Sequence, residues 1–262
     1  MKHPIPKDLI EDEITVAVVG CGGNGSQMLA GLARLDRALH ALGHPGLEVS
    51  AYDPDIVTDA NVGRQLFSPA DIGQSKAVVL INRLNLYYGL RWTAHPCRYT
   101  RNTCEHHELV IGCVDTLKAR KEIIQTRANY WLDLGNTDKK GQVILGELRE
   151  PEGSVRKLTP AERAKLEDGD EEDGVVEVPA TRPRLPHFFD VFPELKKKNA
   201  PEDDAPSCSL AEALDKQDLF INQTVATFAL QLLWSFFRQG GLDIHGYFIN
   251  LETNRVTPLP IR

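Results

Sequence analysis

Several features that would place the chain in a special class are scarce or absent. Its 262 residues include five scattered cysteines without a CxxC pair, which argues against a disulfide framework and leaves no four-cysteine zinc site. No apolar run approaches the roughly 20 residues that a membrane-spanning helix needs. The first residues also lack the apolar core of a signal peptide. We therefore expect a cytoplasmic protein without a membrane role.

An excess of positive charge is missing too. The formal net charge is −7, which argues against a nucleic-acid surface as the main function. The composition, 42% hydrophobic and 26% charged, is otherwise that of an ordinary globular protein. A chain of this length can form one large α/β domain or two small ones.

The first half of the chain alternates short apolar runs with helical periodicity. Residues 14–19 are a β-branched, apolar run typical of a strand buried on both faces, residues 47–52 predict a second strand, and a helical pattern lies between them. Further strands are predicted at 90–95, 108–114, 131–135 and 142–148, and further helices at 76–88 and 117–129. This alternation predicts an α/β fold with a Rossmann-like, mostly parallel sheet and flanking helices.

The composition changes after Arg149. Residues 150–206 are rich in proline, glycine and charge, which predicts an irregular, charged crossover segment. Residues 188–192 are an aromatic exception, predicted to dock on the body of the protein or on a partner. Residues 207–262 are expected to complete the same domain with a long helix at 219–237 and a β-hairpin at 247–259.

A glycine-rich turn, G-C-G-G-N-G-S, follows the first buried strand at residues 20–26. Its glycines let the backbone approach a phosphate, and the N-terminus of the next helix adds a favourable field. Gly20, Gly22 and Gly25 also fit the dinucleotide fingerprint, so the turn by itself leaves NAD and ATP equally open. Asp53 ends the second strand, where it suits ribose hydroxyls in either case.

Polar residues beyond the second strand separate these two nucleotides. An adenylating enzyme binds three phosphates and stabilises the charge of the leaving pyrophosphate, which requires fixed cations and hydrogen-bond donors. Asn61, Arg64, Gln65 and Lys76 supply such groups, and hydride transfer has no comparable need for them. Asp115 follows a third apolar strand at the ligand-binding edge of the sheet, where a carboxylate suits Mg²⁺.

Four ordered motifs together resemble the ThiF/MoeB family of ubiquitin-activating-like adenylating enzymes. They are G-C-G-G-N-G-S, D-P-D-x-V-x-x-x-N-x-x-R-Q-L-F, D-I-G-x-x-K-A and V-I-G-C-V-D-x-x-x-x-R, the last ending at Arg120. The resemblance covers the first half of the chain in register and the C-terminal part more loosely. Within the family, the chain most resembles the ThiF-type proteins of the plasmid-borne PRTRC gene system.

The resemblance implies a function and a set of site residues. The protein would use MgATP to adenylate the C-terminal carboxylate of a small ubiquitin-like or sulfur-carrier-type β-grasp protein, and it would be a homodimer. Residues 1–149 would form the ATP-binding adenylation domain. The implied nucleotide-binding residues are Gly20, Gly22, Gly23 and Asn24 in the turn, Asp53 at the ribose, Asn61, Arg64 and Lys76 at the phosphates, Gln65 in support, and Asp115 at Mg²⁺. Asp55 and Arg120 also match the family motifs, with less definite roles.

Cys208 precedes the last predicted helix. Family members that form a thioester or persulfide carry a cysteine at a comparable position, so the resemblance makes Cys208 a candidate nucleophile for the acyl-adenylate. The alternative is a packed thiol in an enzyme that stops at the adenylate. Because the paired CxxC zinc ligands of many members are absent, no structural zinc is expected.

Two other functions remain open. An NAD-dependent oxidoreductase would account for the glycine turn and Asp53, although the sequence offers no evident catalytic pair for hydride transfer. A non-catalytic adaptor could keep the nucleotide-binding fold in order to dock a partner. The joint presence of Arg64, Lys76 and Asp115 argues against the adaptor, since binding without chemistry would not require all three.

Overall fold

The structure is a computed structural model with two compact units. It describes residues 2–102, 105–150, 154–157, 175–178, 183–197 and 217–261. The larger unit comprises residues 1–148 and 185–262, and the smaller unit comprises residues 149–184. The candidate nucleophile Cys208 lies outside the described residues. The predicted three-part division of the chain stays a prediction.

The larger unit contains most of the regular secondary structure. Its strands are β1 (His3–Pro4), β2 (Ile14–Val19), β3 (Leu47–Tyr52), β4 (Thr93–His95), β5 (Leu109–Gly112), β6 (Tyr130–Asn136), β7 (Lys140–Glu147), β10 (Gly241–Leu242), β11 (Ile244–Asn250) and β12 (Arg255–Pro260). Its helices are α1 (Asp8–Glu11), α2 (Gly23–Ala41), α3 (Lys76–Tyr88), α4 (Leu117–Ile123), α5 (Phe188–Val191), α6 (Pro193–Lys197) and α7 (Ile221–Gln239). In the smaller unit, β8 (Ser154–Lys157) pairs antiparallel with β9 (Val175–Val178), although an irregular segment was predicted there.

An eight-stranded sheet runs through the larger unit in the order β12-β11-β7-β6-β5-β2-β3-β4. The strands from β4 to β6 in this order are parallel, and β7, β11 and β12 add antiparallel pairs at the other side. The chain order reverses between β2 and β5, and ligands of open α/β sheets bind beyond the carboxyl ends of the strands at such a point. The predicted Rossmann-like α/β class is confirmed.

The buried strands explain the uninterrupted apolar runs in the sequence. In β2, Val16 and Val18 face one hydrophobic core, whereas Ala17 and Val19 face a second core on the opposite side of the sheet. Successive side chains of a strand point to opposite faces, so a strand covered on both sides is apolar throughout. The first core contains apolar residues of α2, α3 and α7, and the second contains those of α4 and α5.

The helices agree with the sequence prediction to different degrees. Helix α3 spans the predicted residues, and Gly89 ends it in the left-handed conformation with φ 71°. Helix α7 is shifted by two residues from its predicted bounds. Helix α4 was predicted to reach Asn129 but ends at Ile123, where Thr126 Oγ1 donates a hydrogen bond of 2.7 Å to the Ile123 carbonyl. Such side-chain bonds compete with helix continuation.

The aromatic segment at residues 188–192 packs on the body of the larger unit. Phe188 and Phe189 in α5 are buried, with ring centroids 5.9 and 6.0 Å from that of Trp131 in β6. The sequence left open whether this segment docks on the body of the protein or on a partner. In the structure, Phe188 and Phe189 pack on the body of the protein. Within the described ranges, no helix combines the length and the apolar character needed to cross a membrane.

Candidate functional site

The glycine turn joins β2 to α2 at the point where the strand order reverses. Gly20 has φ +91°, and a Cβ atom there would lie only 2.7 Å from the carbonyl oxygen of Cys113, which follows β5. A Cβ atom on Gly25 would overlap the carbonyl oxygen of Gly20. The turn is thus packed tightly between the ends of β2 and β5. Helix α2 begins at Gly23 without a side-chain cap, which leaves its first backbone N–H groups suited to an anion.

Asp53 ties the glycine turn to the end of β3. Its Oδ2 accepts a hydrogen bond of 2.6 Å from the Cys21 N–H, and its Oδ1 accepts one of 2.8 Å from the Asp55 N–H. Burial raises the pKa of the Asp53 carboxyl, while nearby Lys76 and these two N–H groups act to lower it. A carboxylate oxygen can accept more than one hydrogen bond, so the predicted contact with a ribose hydroxyl is compatible with this geometry.

Lys76 holds its ammonium group beside the same edge of the sheet. It is the first residue of α3, and its Nζ donates a hydrogen bond of 3.0 Å to Asp55 Oδ2. The Lys76 side chain is only 11% exposed, whereas the side chain of Asp55 is 63% exposed. An ion pair with such an exposed partner is weak, so a phosphate can replace the carboxylate at little cost. Lys76 is therefore placed as a nearly buried cation with an exchangeable counter-ion.

Arg64 is positioned by a residue far away in the sequence. Its Nη1 donates a hydrogen bond of 2.5 Å to Gln217 Oε1, across 153 residues. Its Nε is buried and has no hydrogen-bond partner in the described part of the chain. Burial lowers the pKa of the guanidinium, because a poorly hydrated site disfavours the charged form. A bound anion would satisfy both the charge and the free donor.

Two more buried polar atoms near the turn lack partners among the described residues. They are Oδ1 of Asn24 and Oε1 of Gln65. The Nδ2 of Asn24 donates to Asn136 Oδ1 at 2.9 Å, and the Nε2 of Gln65 would lie 3.8 Å from a Cβ atom on Gly22. An unsatisfied buried polar group costs about 1–3 kcal/mol, so such a group calls for a ligand or a water molecule. Both residues were predicted to serve the nucleotide.

Asn61 has a structural task beside its predicted one. Its Oδ1 accepts hydrogen bonds from the backbone N–H and the hydroxyl of Thr58, at 2.9 and 3.1 Å, and so closes the short turn at Asp59–Asn61. These bonds use the amide oxygen and not the amide nitrogen, so the contact of Asn61 with a phosphate stays a prediction. The motif position thus combines a turn cap with a candidate ligand contact.

Arg120 anchors the segment that carries Asp115. Asp115 lies just beyond β5 with an exposed side chain. Its backbone carbonyl oxygen accepts a hydrogen bond of 3.1 Å from Arg120 Nη1. Arg120 Nε also donates to Asp133 Oδ1 in β6 at 2.8 Å, and the guanidinium carbon lies 4.8 Å from the ring centroid of Phe188. Burial raises the pKa of the Asp133 carboxyl, and Arg120 opposes that shift. This geometry gives Arg120 a positioning role that the sequence left undefined.

The donor set fits a nucleotide-bound magnesium ion better than a metal cage. Among the described residues, no three histidine, cysteine, aspartate or glutamate side chains are grouped closely enough to hold a metal ion. Mg²⁺ commonly binds through one or two carboxylates together with substrate phosphates and water. The single exposed carboxylate of Asp115 fits that mode, and Mg²⁺ there stays a prediction, as does the absence of zinc.

Two other cysteines line this edge of the sheet. Burial raises the pKa of the Cys21 and Cys113 thiols, with Asp53 also acting on Cys21 and Asp133 on Cys113. A thiol with a raised pKa is a poor nucleophile. These two residues are packed thiols, and the candidate nucleophile Cys208 stays a prediction.

The structure brings most of the predicted residues together around the turn and adds three others. Asn136 contacts Asn24, Gln217 contacts Arg64 and Asn222 packs against Gly23, but none of the three belongs to a motif. Asn136 ends a strand at the ligand-binding edge, and that position was a signal which could have identified it. Gln217 and Asn222 carry no such signal, because only the tertiary fold brings α7 to the turn.

Comparisons with known proteins agree with this fold. A sequence model described as the ThiF family matches residues 10–257. No curated protein matches the chain significantly. The chain is similar to the structure of PaaA, with a TM-score of 0.58 and 12% identity over 97% of this chain and 66% of that one. It is also similar to E. coli MccB with ATP (TM-score 0.53, 13% identity, 97% and 65% covered) and to E. coli MccB with AMPCPP and MccA (TM-score 0.56, 13% identity, 97% and 65% covered). The chain therefore spans just under two thirds of the length of these structures.

Proposed function

The chain belongs to the ThiF family, as the match over residues 10–257 shows, and we propose that it is an ATP-dependent adenylating enzyme. Its substrate would be the C-terminal carboxylate of a small ubiquitin-like β-grasp protein, and pyrophosphate would be released. Adenylyltransferase chemistry is what the family has in common. The ubiquitin-like substrate is the more specific part of the proposal.

One observation carries the choice of ATP as the nucleotide. Beside the glycine turn lie two cations, the half-buried Arg64, which is paired with a neutral amide, and the nearly buried Lys76, which is paired with an exposed carboxylate. Charged groups so poorly compensated favour a polyanion over a dinucleotide with two phosphates. Structures similar to this chain include E. coli MccB with ATP, which supports the same choice.

The proposed reaction joins the partner's carboxylate to the α-phosphate of ATP. A carboxylate oxygen attacks the α-phosphorus, the bond to the bridging oxygen of the β-phosphate breaks, and the electron pair leaves with pyrophosphate. The cations of Arg64 and Lys76 would stabilise the charge that develops on the phosphate oxygens. Asp115 would hold Mg²⁺, which neutralises phosphate charge when bound, and Asp53 would orient the ribose.

Further parts of the proposal rest on the family resemblance. Cys208 would attack the acyl-adenylate through its thiolate, forming a thioester and releasing AMP. The protein would act as a cytoplasmic homodimer, with residues 1–149 as the ATP-binding adenylation domain and residues 207–262 completing it. The similarity to E. coli MccB with AMPCPP and MccA supports a second binding partner beside the nucleotide, although MccA is named only for that enzyme.

ATP–[³²P]pyrophosphate exchange with Mg²⁺ and a candidate β-grasp protein tests this function. We expect exchange that depends on the partner and falls about 100- to 1,000-fold in Asp115→Ala and Arg64→Ala, as when a transition-state contact is removed. Asp12→Ala and Arg91→Ala change the same residue types at exposed positions and serve as matched controls. Full exchange in both site variants would contradict the proposal.

Binding assays run alongside distinguish the two alternative functions. ATP binding without exchange for any β-grasp partner would indicate the non-catalytic adaptor. Tight NAD binding without ATP binding would indicate the oxidoreductase. Titration calorimetry with each nucleotide measures both quantities on the same preparation.

A further inference from the structure

Arg64 is connected to α7 by a short chain of hydrogen bonds. Gln217 Oε1 accepts from Arg64 Nη1 at 2.5 Å and from Asn222 Nδ2 at 3.2 Å. Asn222 lies in the first turn of α7 and is buried. One amide oxygen therefore joins the candidate phosphate-binding arginine to the final helix.

Asn222 in turn contacts the glycine turn. A Cβ atom on Gly23 would overlap the carbon and both polar atoms of the Asn222 side-chain amide. The flat amide group is thus seated directly on the backbone at the start of α2. Because Asn222 contacts the turn and Gln217 contacts Arg64, the two amides fix the distance between the turn and the guanidinium.

The chemistry of Gln217 suits a residue that orients Arg64 without neutralising it. A guanidinium has five N–H donors, and the bond to Gln217 uses one of them. The others, including the unpartnered Nε, stay available for phosphate oxygens. A carboxylate in place of the amide would compete with phosphate for the positive charge, whereas a neutral oxygen leaves that charge to the ligand.

We propose that Gln217 and Asn222 are positioning residues that hold Arg64 in register with the glycine turn, so that both engage the same nucleotide phosphates. The inference rests on the proposed function, because it requires a nucleotide at this site. We assign neither residue a contact with the reacting atoms: Gln217 acts through Arg64, and Asn222 acts through Gln217 and the glycine turn. The opposite role, in which Gln217 withholds Arg64 from the nucleotide, predicts an effect of opposite sign.

ATP affinity of the full chain, measured by titration calorimetry, tests the proposal. We expect Gln217→Met, which keeps the length of the side chain and removes the amide, to weaken ATP binding about tenfold, the order expected for a hydrogen bond to a charged group. Gln217→Asn should show the same loss, since the shorter side chain cannot reach Arg64. Gln223→Met changes an exposed glutamine of α7 and should leave the affinity unchanged.

A double-mutant cycle separates positioning from a general structural effect. In the Arg64→Ala background, Gln217→Met should cause no further loss of ATP affinity, because its effect passes through Arg64. An equal loss in both backgrounds would overturn the proposal, and so would tighter ATP binding by Gln217→Met. A wild-type chain that binds no ATP would overturn the inference and the proposed function together. The expected binding pattern without pyrophosphate exchange would support the inference and refute only the adenylation chemistry.

Discussion

Buried polar side chains occur at both ends of the parallel strands, and the two sets differ in how well their hydrogen bonds are satisfied. At the amino end, His3 Nε2 lies 3.0 Å from the Tyr130 hydroxyl, which donates to Glu147 Oε1 at 3.3 Å. Glu147 Oε2 accepts from the Leu185 N–H at 2.8 Å. These groups connect β1, β6 and β7 and are buried with partners.

The set at the carboxyl end is incompletely satisfied. Asn24, Arg64 and Gln65 each keep a buried polar atom without a partner among the described residues. A satisfied buried network stabilises the fold, whereas unsatisfied groups destabilise it until a ligand arrives. The satisfied set, His3, Tyr130 and Glu147, therefore serves stability, whereas the unsatisfied set, Asn24, Arg64 and Gln65, is suited to binding a ligand.

The largest expected effect concerns Arg120, which lies at the carboxyl end but donates hydrogen bonds to Asp133 and to the Asp115 carbonyl. Arg120→Leu leaves the buried Asp133 carboxylate without its partner, which costs about 3–5 kcal/mol of unfolding free energy. It also removes the anchor on the Asp115 carbonyl, so exchange should fall as well. Urea denaturation measures the first effect and pyrophosphate exchange the second.

The double variant Arg120→Leu, Asp133→Leu separates these two consequences. Replacing both members of a buried ion pair with apolar residues is often neutral for stability. We expect the double variant to regain most of the unfolding free energy but not the exchange rate, because the Asp115 segment is still unanchored. Recovery of both quantities would show that Arg120 acts only through stability.

Tyr130→Phe should give the next largest effect, on stability alone. The substitution deprives His3 and Glu147 of a buried partner, which costs about 1–3 kcal/mol of unfolding free energy. ATP affinity should stay at the wild-type value, since Tyr130 lies at the amino end of β6. Tyr87→Phe, at a tyrosine that is 79% exposed, is the matched control and should leave both quantities unchanged. A loss of ATP affinity in Tyr130→Phe would break the division between the two ends.

The sequence predicted the carboxyl end of the sheet far better than the amino end. The turn residues, Asp53 and Lys76 lie in local motifs, and each motif follows a strand or begins a helix that periodicity also identifies. The pairing of His3 with Leu242 joins two-residue strands, which are too short to carry a period. Gln217 precedes α7 and contacts Arg64 across 153 residues, and no local sequence pattern predicts such a contact.

Gln65→Leu should give the opposite pattern to the one expected for Tyr130→Phe. Removing an unpartnered buried oxygen should leave the unfolding free energy unchanged or slightly higher, because the lost group had no hydrogen bond. ATP affinity should fall about tenfold if the amide contacts the nucleotide site. Gln223→Leu provides the exposed control for both measurements. A marked loss of stability with normal ATP affinity would assign Gln65 to the stabilising set.

The smallest expected effect is a pH dependence from His107, which lies beside Tyr52 at the end of β3. Its Nδ1 is buried without a partner in the described part of the chain, and burial lowers the pKa of the ring. Below the ordinary histidine pKa the unfolded chain therefore binds more protons than the folded one, so stability is lost as the pH falls. His107→Phe should make the unfolding free energy less dependent on pH between 7 and about 5, measured by urea denaturation at each pH. If the pH dependence of the unfolding free energy is unchanged in His107→Phe, protonation of His107 does not destabilise the folded state, and the burial of this nitrogen has no effect on stability.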